Sequence, residues 1–218
     1  MTPPTRRDTA EEARTRILSA AADCLVRDGL AKVRMAGIAE VAGVSSGLLH
    51  YHFDTKEQLF AAVLRYSSEQ SNELTADCLE RAGTDPAGRL ATFLDRCLPS
   101  DERLTRDWLL WQELDLLCMR QPELAEVGAQ VYDALYDAVA DLIAAGVGAG
   151  VFALPPEEIR VVAESAVALC DGLGARVLAP EDLTLECARE RVALAVGRLV
   201  GHRGPLPRPD RARRGTGA

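Results

Sequence analysis

The stretch Ala42–Lys56, A-G-V-S-S-G-L-L-H-Y-H-F-D-T-K, constrains this chain more than any other. Upstream of it, Ala36, Ile38, Ala39 and Val41 give a short apolar helix. Gly43 can end that helix because glycine accepts φ > 0 without steric cost. Val44 is expected as a buried plug in the turn. Ser45 is then a good N-cap for a second short helix, with its hydroxyl accepting a backbone N–H. Two short helices joined by a tight glycine-containing turn make a helix-turn-helix, an arrangement that puts its second helix in the major groove of DNA.

The second helix has a face suited to that task. Ser45, Ser46, Gly47, His50, Tyr51, His52 and Lys56 are small or hydrogen-bonding, while Leu48, Leu49 and Phe53 turn back to a core. Hydroxyls, imidazoles and an ammonium all reach phosphate oxygens, and a glycine lets backbone approach a duplex closely. The plain alternative is a helical hairpin with a polar surface. The coincidence of turn, cap and polar face disfavours it.

The segment resembles the DNA-binding signature of the tetracycline-repressor (TetR) family of transcriptional regulators, whose recognition helix ends in a Y-H-F-like run followed by lysine. The resemblance is good over roughly residues 14–64. It implies that Ser45, Ser46, Gly47, His50, Tyr51 and His52 touch bases or backbone and that Lys56 holds a phosphate. Family members commonly carry Thr or Ser where this chain has Arg34 and Met35. Arg34 is therefore expected to replace the usual hydroxyl cap and phosphate contact with a charged one. The segments W-Q-E-L-D (Trp111–Asp115), Q-P-E-L (Gln121–Leu124) and C-D-G-L (Cys170–Leu173) are similar to the betaine-regulator-like subgroup, and are less specific.

A net charge of −8 argues at first against nucleic acid. The charge is unevenly spread. Residues 1–56 hold eight Lys/Arg against seven Asp/Glu, residues 57–202 twelve against twenty-five, and residues 203–218 five against one. An acidic body behind a near-neutral head limits non-specific DNA binding by weakening phosphate attraction. The chain of 218 residues is long enough for a substantial core, and 48% apolar with 27% charged residues marks a globular protein. No apolar run reaches the length of a membrane span and the N-terminus has no signal-peptide core, so the expected location is the cytoplasm. Cys24, Cys78, Cys97, Cys118, Cys170 and Cys187 show no C-x-x-C or Cys/His clustering and read as core residues or free thiols, with no metal site or cofactor implied.

The whole chain reads as all-α. Residues 1–9 are expected to be a disordered arm, in which Arg6 and Arg7 are candidates for a minor-groove contact. Helix one, from Thr9 or Ala10 to Asp28, carries the stripe Ile17, Ala20, Ala21, Cys24, Leu25 and is closed by Gly29. Thr55 caps a long helix reaching about Arg81, which would link the head rigidly to the rest. Further helices are expected near 86–98, 102–120, 123–145, 156–178 and 183–201. Gly146-Val147-Gly148-Ala149-Gly150 follows a helix and lacks the Lys-Ser/Thr of a phosphate loop, so it reads as a helix stop. These readings give a helix-turn-helix domain at 1–56, a helical ligand-binding and dimerisation domain at 57–202, and a disordered basic tail at 203–218.

Within the body, Leu104, Trp108, Trp111, Asp115, Cys118 and Met119 share one face of the 102–120 helix, with Leu110, Leu114 and Leu117 on a second. A carboxylate among tryptophans must be paired, hydrated or turned to a cavity. Trp108, Trp111, Asp115 and Met119, with Tyr132 and Tyr136 from the next helix, are thus candidate ligand residues, suited to a cationic or hydrogen-bond-donating effector. Plain core is the competing reading. In the last two helices, Ile159, Ala163, Ala166, Cys170 and Leu173, and Leu185, Val192, Ala195 and Leu199, are stripes rich in small residues. Paired with their symmetry mates they would make a four-helix dimer seam, and otherwise they are internal core.

The function expected is a ligand-responsive, homodimeric DNA-binding regulator, most often a repressor, released from a palindromic operator in double-stranded DNA by a small organic molecule. A DNA-binding or protein-interaction module without an effector is the rival. An enzyme is disfavoured because the three histidines fall in the motif or at the tail and form no acid–base or nucleophile constellation.

Overall fold

The computed structural model of the protein describes residues 6–179 and 183–209. The described residues form nine α-helices and no strand: α1 Arg6–Asp28, α2 Met35–Ala42, α3 Ser46–His52, α4 Lys56–Arg81, α5 Pro86–Arg96, α6 Glu102–Arg120, α7 Pro122–Gly148, α8 Ile159–Leu178 and α9 Leu185–Leu199. A single 3-10 turn, Pro156–Glu158, leads into α8. Helix α1 starts at Arg6, before the expected Thr9, so the candidate arm residues Arg6 and Arg7 belong to a helix. Residues 1–5 of the expected arm lie outside the described residues.

Packing divides the chain elsewhere than at residue 56. Unit one is residues 1–70 with 109–131, and unit two is residues 71–108 with 132–218. The chain therefore passes between units within α4, within α6 and within α7. The reason is apolar area. Helices α1–α3 and the start of α4 bring Ile17, Leu25, Ile38, Leu49, Phe53, Phe60 and Val63 to one core, and α6 and α7 complete it with Leu110, Leu114, Leu117, Leu124 and Val127. The expected α1 stripe is buried throughout, as is the second apolar face of α6. Each such leucine removed to alanine would cost about 2–5 kcal/mol.

The loop between α1 and α2 is fixed from two sides. Glu113 Oε2 on α6 accepts the Leu30 N–H at 2.8 Å. Lys56 Nζ, at the start of α4, donates to Val33 O at 2.7 Å and to Leu30 O at 3.5 Å. Val33 itself is buried in the core. The position where α2 begins is thus set by α4 and α6 together.

Unit two is built on the amphipathic α5, capped by the Asp85 carboxylate on Gly88 N–H and started by Pro86. Leu90, Leu94 and Leu98 join Val139 and Ile143 of α7, Ala163, Ala166 and Cys170 of α8, and Ala188, Val192 and Val196 of α9. Helix α7 continues through Gly146 to Gly148, beyond the expected end near residue 145, and the chain leaves it at Gly150, φ +69°. Gly146 has its own reason to be glycine: a Cβ there would stand 2.1 Å from Phe152 Cδ2. Burial pushes the Cys97 thiol up to about 12 and holds that of Cys170 well above its ordinary value, so both stay protonated as small core residues.

Two expectations are corrected in this unit. Ala163, Ala166, Cys170 and Val192, placed in a dimer seam, are buried inside the chain's own core. Small residues are needed there because α8 packs on α5 and α9 within one subunit. The tail, expected to be disordered from residue 203, packs on α9 as far as Pro209. Leu206 is buried, its N–H donates to Ala193 O at 2.9 Å, and Arg208 reaches Glu186 and Glu190. Gly197 permits this approach, since a Cβ there would lie 2.6 Å from Gly204 O. Residues 210–218 of the expected tail lie outside the described residues.

The exposed face of α8 is instead Val161, Ser165, Ala168 and Gly172. Ala166→Arg should therefore abolish folding, because it buries an unpaired charge. Gly172→Arg, at an open position, should leave the chain folded and helical by circular dichroism. Equal stability of the two variants would contradict this assignment of faces.

Candidate nucleic-acid interface

The turn and cap anticipated for the motif are present. Gly43 is left-handed at φ +64°, and it and Val44 return their N–H groups to Glu40 O and Ala39 O, a Schellman-type stop. Val44 is partly buried against the core of unit one. Ser45 Oγ accepts the Leu48 N–H at 3.1 Å. At the far end, Thr55 Oγ1 accepts from Gln58 N–H, and Gln58 Oε1 accepts from Asp54 N–H, so two side-chain bonds fix the start of α4. Arg14 of α1 places its guanidinium 5.7 Å from the centre of the Phe53 ring and ties the end of α3 to α1.

With Leu49 and Phe53 buried, helical periodicity turns Ser45, Ser46, Gly47, His50 and Tyr51 to solvent on α3. Tyr51 is 79% exposed, an unusual state for a large aromatic side chain. Gly47 is not demanded by the chain itself, since a Cβ there would meet only Ser45 Oγ at 3.9 Å. Gly47 is the second residue of α3, in its first turn. Arg34 is the N-cap of α2 with no side-chain cap hydrogen bond, and its guanidinium side chain is exposed. The hydroxyl cap is absent, as its sequence indicates.

Two residues of the expected DNA face are placed differently. His52 stands three positions beyond Leu49 and is therefore carried toward the core side of α3. It is partly buried, its ring meets Tyr51 edge-on with centroids 5.3 Å apart, and its Nε2 is shielded from solvent without a hydrogen-bond partner among the described residues. Lys56 is partly buried, its ammonium held by the loop carbonyls and 5.3 Å from the centre of the Phe60 ring. Its charge is engaged by the fold before any phosphate arrives.

The six candidate effector residues are divided between the units. Trp108, Tyr132 and Tyr136 belong to unit two, and Trp111, Asp115 and Met119 to unit one. Met119 is 78% exposed, and Trp111 packs against the core of unit one. Trp108 fits against Gly174, where a Cβ would come within 2.5 Å of the indole Nε1, and that buried N–H has no acceptor among the described residues. Tyr132 and Tyr136 meet at 5.7 Å, but Arg160 already stands 5.1 Å from the Tyr136 ring centre. The cation site expected at that ring is thus filled by the chain's own guanidinium, held by Asp133, Asp137 and Glu164.

An all-helical chain with an N-terminal helix-turn-helix and an exposed polar second helix defines a class of protein. The family profile described as bacterial regulatory proteins, tetR family, matches residues 17–63, and that of the BetI-type transcriptional repressor C-terminal region matches residues 86–201. The chain belongs to the TetR family of transcriptional regulators, with a BetI-type C-terminal region. It is similar to the regulator TtgR of Pseudomonas putida, 32% identical over 88 residues, which are 40% of this chain and 42% of that protein. The match thus spans about two-fifths of that relative's length. The regulator BetI of Stenotrophomonas maltophilia is 27% identical over 148 residues, 68% of this chain and 72% of that one. Among solved structures, a TetR-family regulator from Rhodococcus sp. has a TM-score of 0.76 at 28% identity, covering 88% of this chain and 99% of its own. A transcriptional regulator from Saccharomonospora viridis in complex with choline has a TM-score of 0.75 at 28% identity, covering 84% and 94%.

Lys56 ties the α1–α2 loop to the start of α4. Lys56→Met should lower unfolding free energy by about 1–3 kcal/mol, as expected when hydrogen bonds from a charged group are lost. Tyr51→Ala should change it by less than about 0.5 kcal/mol. Urea denaturation followed by circular dichroism measures both, and a fully stable Lys56→Met protein would show that the ammonium is not a structural tie.

Proposed function

We propose that the protein is a homodimeric repressor, acting in the cytoplasm, that binds a palindromic DNA operator through α3 and is released by a small organic effector bound in the helical body. The observation that carries the DNA-binding part is the exposed face of α3, with Tyr51 almost fully in solvent and Gly47 required by nothing inside the chain. Neither feature serves packing within the chain, and both are useful against a duplex that needs close backbone approach and hydrogen-bonding contacts. Ser45, Ser46, Gly47, His50 and Tyr51 are the proposed contacts. Arg34, free of any capping duty, is the proposed phosphate ligand in place of Lys56. In functional terms residues 1–56 read DNA, and residues 57–202 serve ligand binding and dimerisation.

For the dimer, the exposed faces offer Val161 and Gly172 on α8 and Leu194 and Leu199 on α9. Ile159, Leu173, Leu185 and Ala195 are partly exposed and fit the rim of such a seam. Two recognition helices must then sit about 34–36 Å apart, or a multiple of that, to enter successive major grooves. The effector is proposed to engage Trp108, whose buried indole N–H lacks an acceptor among the described residues. Release follows if the effector binds one conformation of the body better than the other, since coupling equals that difference in affinity. Helix α6 supplies Trp108 to unit two and, in unit one, the Glu113 that holds the loop before α2, which supports coupling through this helix.

Fluorescence anisotropy with the DNA upstream of the protein's own reading frame tests the assignment. Tyr51→Ala should weaken binding by about tenfold at least, in line with contacts worth 1–3 kcal/mol. Arg34→Ala should flatten the slope of log affinity against log salt by about one unit. Gly172→Arg should convert a dimer into a monomer by light scattering. Trp108→Phe should remove effector response while DNA binding persists, using an inducer found by screening. A parent protein that is monomeric at micromolar concentration, or unaltered DNA binding by Tyr51→Ala, would each defeat the corresponding part.

A further inference from the structure

The chain leaves α1 at Gly29, whose φ of +71° takes the backbone out of the helical ladder. Gly29 N–H still returns to Leu25 O at 2.9 Å. The next amide, that of the half-buried Leu30, needs an acceptor from elsewhere, because a buried N–H left unpaired is costly. Glu113, 83 residues further along the chain, supplies it, with Oε2 at 2.8 Å from Leu30 N. The turn of α6 that carries Glu113 has little freedom, since Leu110 and Leu114 on either side of it are buried in the core of unit one. Leu30, Lys56 and Glu113 all belong to that unit.

The two ends of the α1–α2 loop are thus held by different elements. Lys56 takes the carbonyls, most closely that of Val33, the residue before the α2 N-cap Arg34. Lys56 begins α4, four residues after α3 ends, so its tie is internal to the motif and the helix that follows it. Glu113 brings the second anchor from α6, outside the motif. With only the first anchor, the entry to α2 is fixed at one end. Arg34 is the last residue of that loop, and recognition contacts require placement to within about 0.5 Å.

We propose that Glu113 is a positioning residue for DNA reading: by accepting the Leu30 N–H it holds the α1–α2 loop, and with it Arg34 and the start of α2, where the motif engages a duplex. It touches no DNA itself, and its role rests on the DNA-reading role proposed above for α3 and Arg34. What the role needs is an acceptor oxygen at this position, and a negative charge is not required. Glutamine keeps a carbonyl oxygen there, whereas alanine removes it.

The test compares Glu113→Ala and Glu113→Gln in the full chain, with Val127→Ala, a truncation in the core of unit one, as the control for lost stability. Amide hydrogen exchange by NMR reads the tie, and fluorescence anisotropy with the DNA upstream of the reading frame reads its consequence. Leu30 N–H should exchange about tenfold faster in Glu113→Ala and close to the parental rate in Glu113→Gln. DNA binding should weaken about tenfold in Glu113→Ala, as the fraction of molecules with a competent loop falls, and should be restored in Glu113→Gln and unchanged in Val127→Ala. If Glu113→Ala does not fold, Glu113→Met, which keeps side-chain bulk without the oxygen, takes its place with the same expectations. Parental DNA binding by the variant lacking the oxygen, Glu113→Gln binding as weakly as that variant, or an equal loss in Val127→Ala overturns the proposal. Tyr51→Ala separates this from the reading beneath it. Weak binding by Tyr51→Ala beside parental binding by Glu113→Ala overturns the role of Glu113 alone, whereas a parent chain that does not bind overturns both.

Discussion

The clamp on the α1–α2 loop is the constraint on which the reading head depends. A helix-turn-helix of eight and seven residues cannot hold its own orientation, because isolated helices of that length are marginal in water. Here Lys56 holds the loop carbonyls, Glu113 holds its amide, and Val33 drops into the core beneath. Each of the two hydrogen-bonded ties joins a charged group to a backbone group, a combination worth more than a neutral hydrogen bond. The exposed face of α3 can then be spent on recognition, since none of its outward side chains is needed for packing.

That division of labour explains why the motif was so legible. Gly43, Ser45 and Thr55 act through local backbone chemistry, and local chemistry is written in adjacent residues. The periodicity of Ile17, Ala21, Cys24 and Leu25 fixed the buried side of α1 equally well. The placement of Lys56 was not legible in the same way. A lysine at a helix start is an obvious phosphate ligand on sequence grounds, whereas the carbonyls of Leu30 and Val33, more than twenty residues earlier, become its acceptors only after folding. His52 shows a finer version of the same limit. Its neighbours Tyr51 and Phe53 face opposite ways, and one step around a short helix decides which it follows.

The body was read less well for a physical reason. Small residues at helical spacing permit close approach, and close approach serves a subunit's own core as readily as a dimer seam. Ala163, Ala166 and Cys170 meet α5 and α9 of the same chain, leaving Val161, Ser165, Ala168 and Gly172 outward. The tail misled in the opposite direction. Its arginines, prolines and glycines suggested a solvated end, but a single apolar residue, Leu206, is enough to seat residues 203–209 when Gly197 opens a place for backbone. Composition averaged over sixteen residues hid that one anchor.

The acidic body gains a more specific meaning once its carboxylates are located. Asp133, Asp137 and Glu164 surround Arg160, while Asp95, Glu186 and Glu190 gather around Arg189 and Arg208. In each group three carboxylates meet one or two guanidiniums, so each keeps a net negative charge while its guanidiniums are engaged. Exposed pairs of this kind contribute little to stability and fade with salt. The Asp95–Arg189 pair is different because both partners are largely withdrawn from water. Its desolvation is offset by mutual attraction only while both remain, so either charge alone would be strongly destabilising. The overall excess of acid therefore bears on long-range repulsion from DNA, whereas this one buried pair bears on how α9 is held to α5.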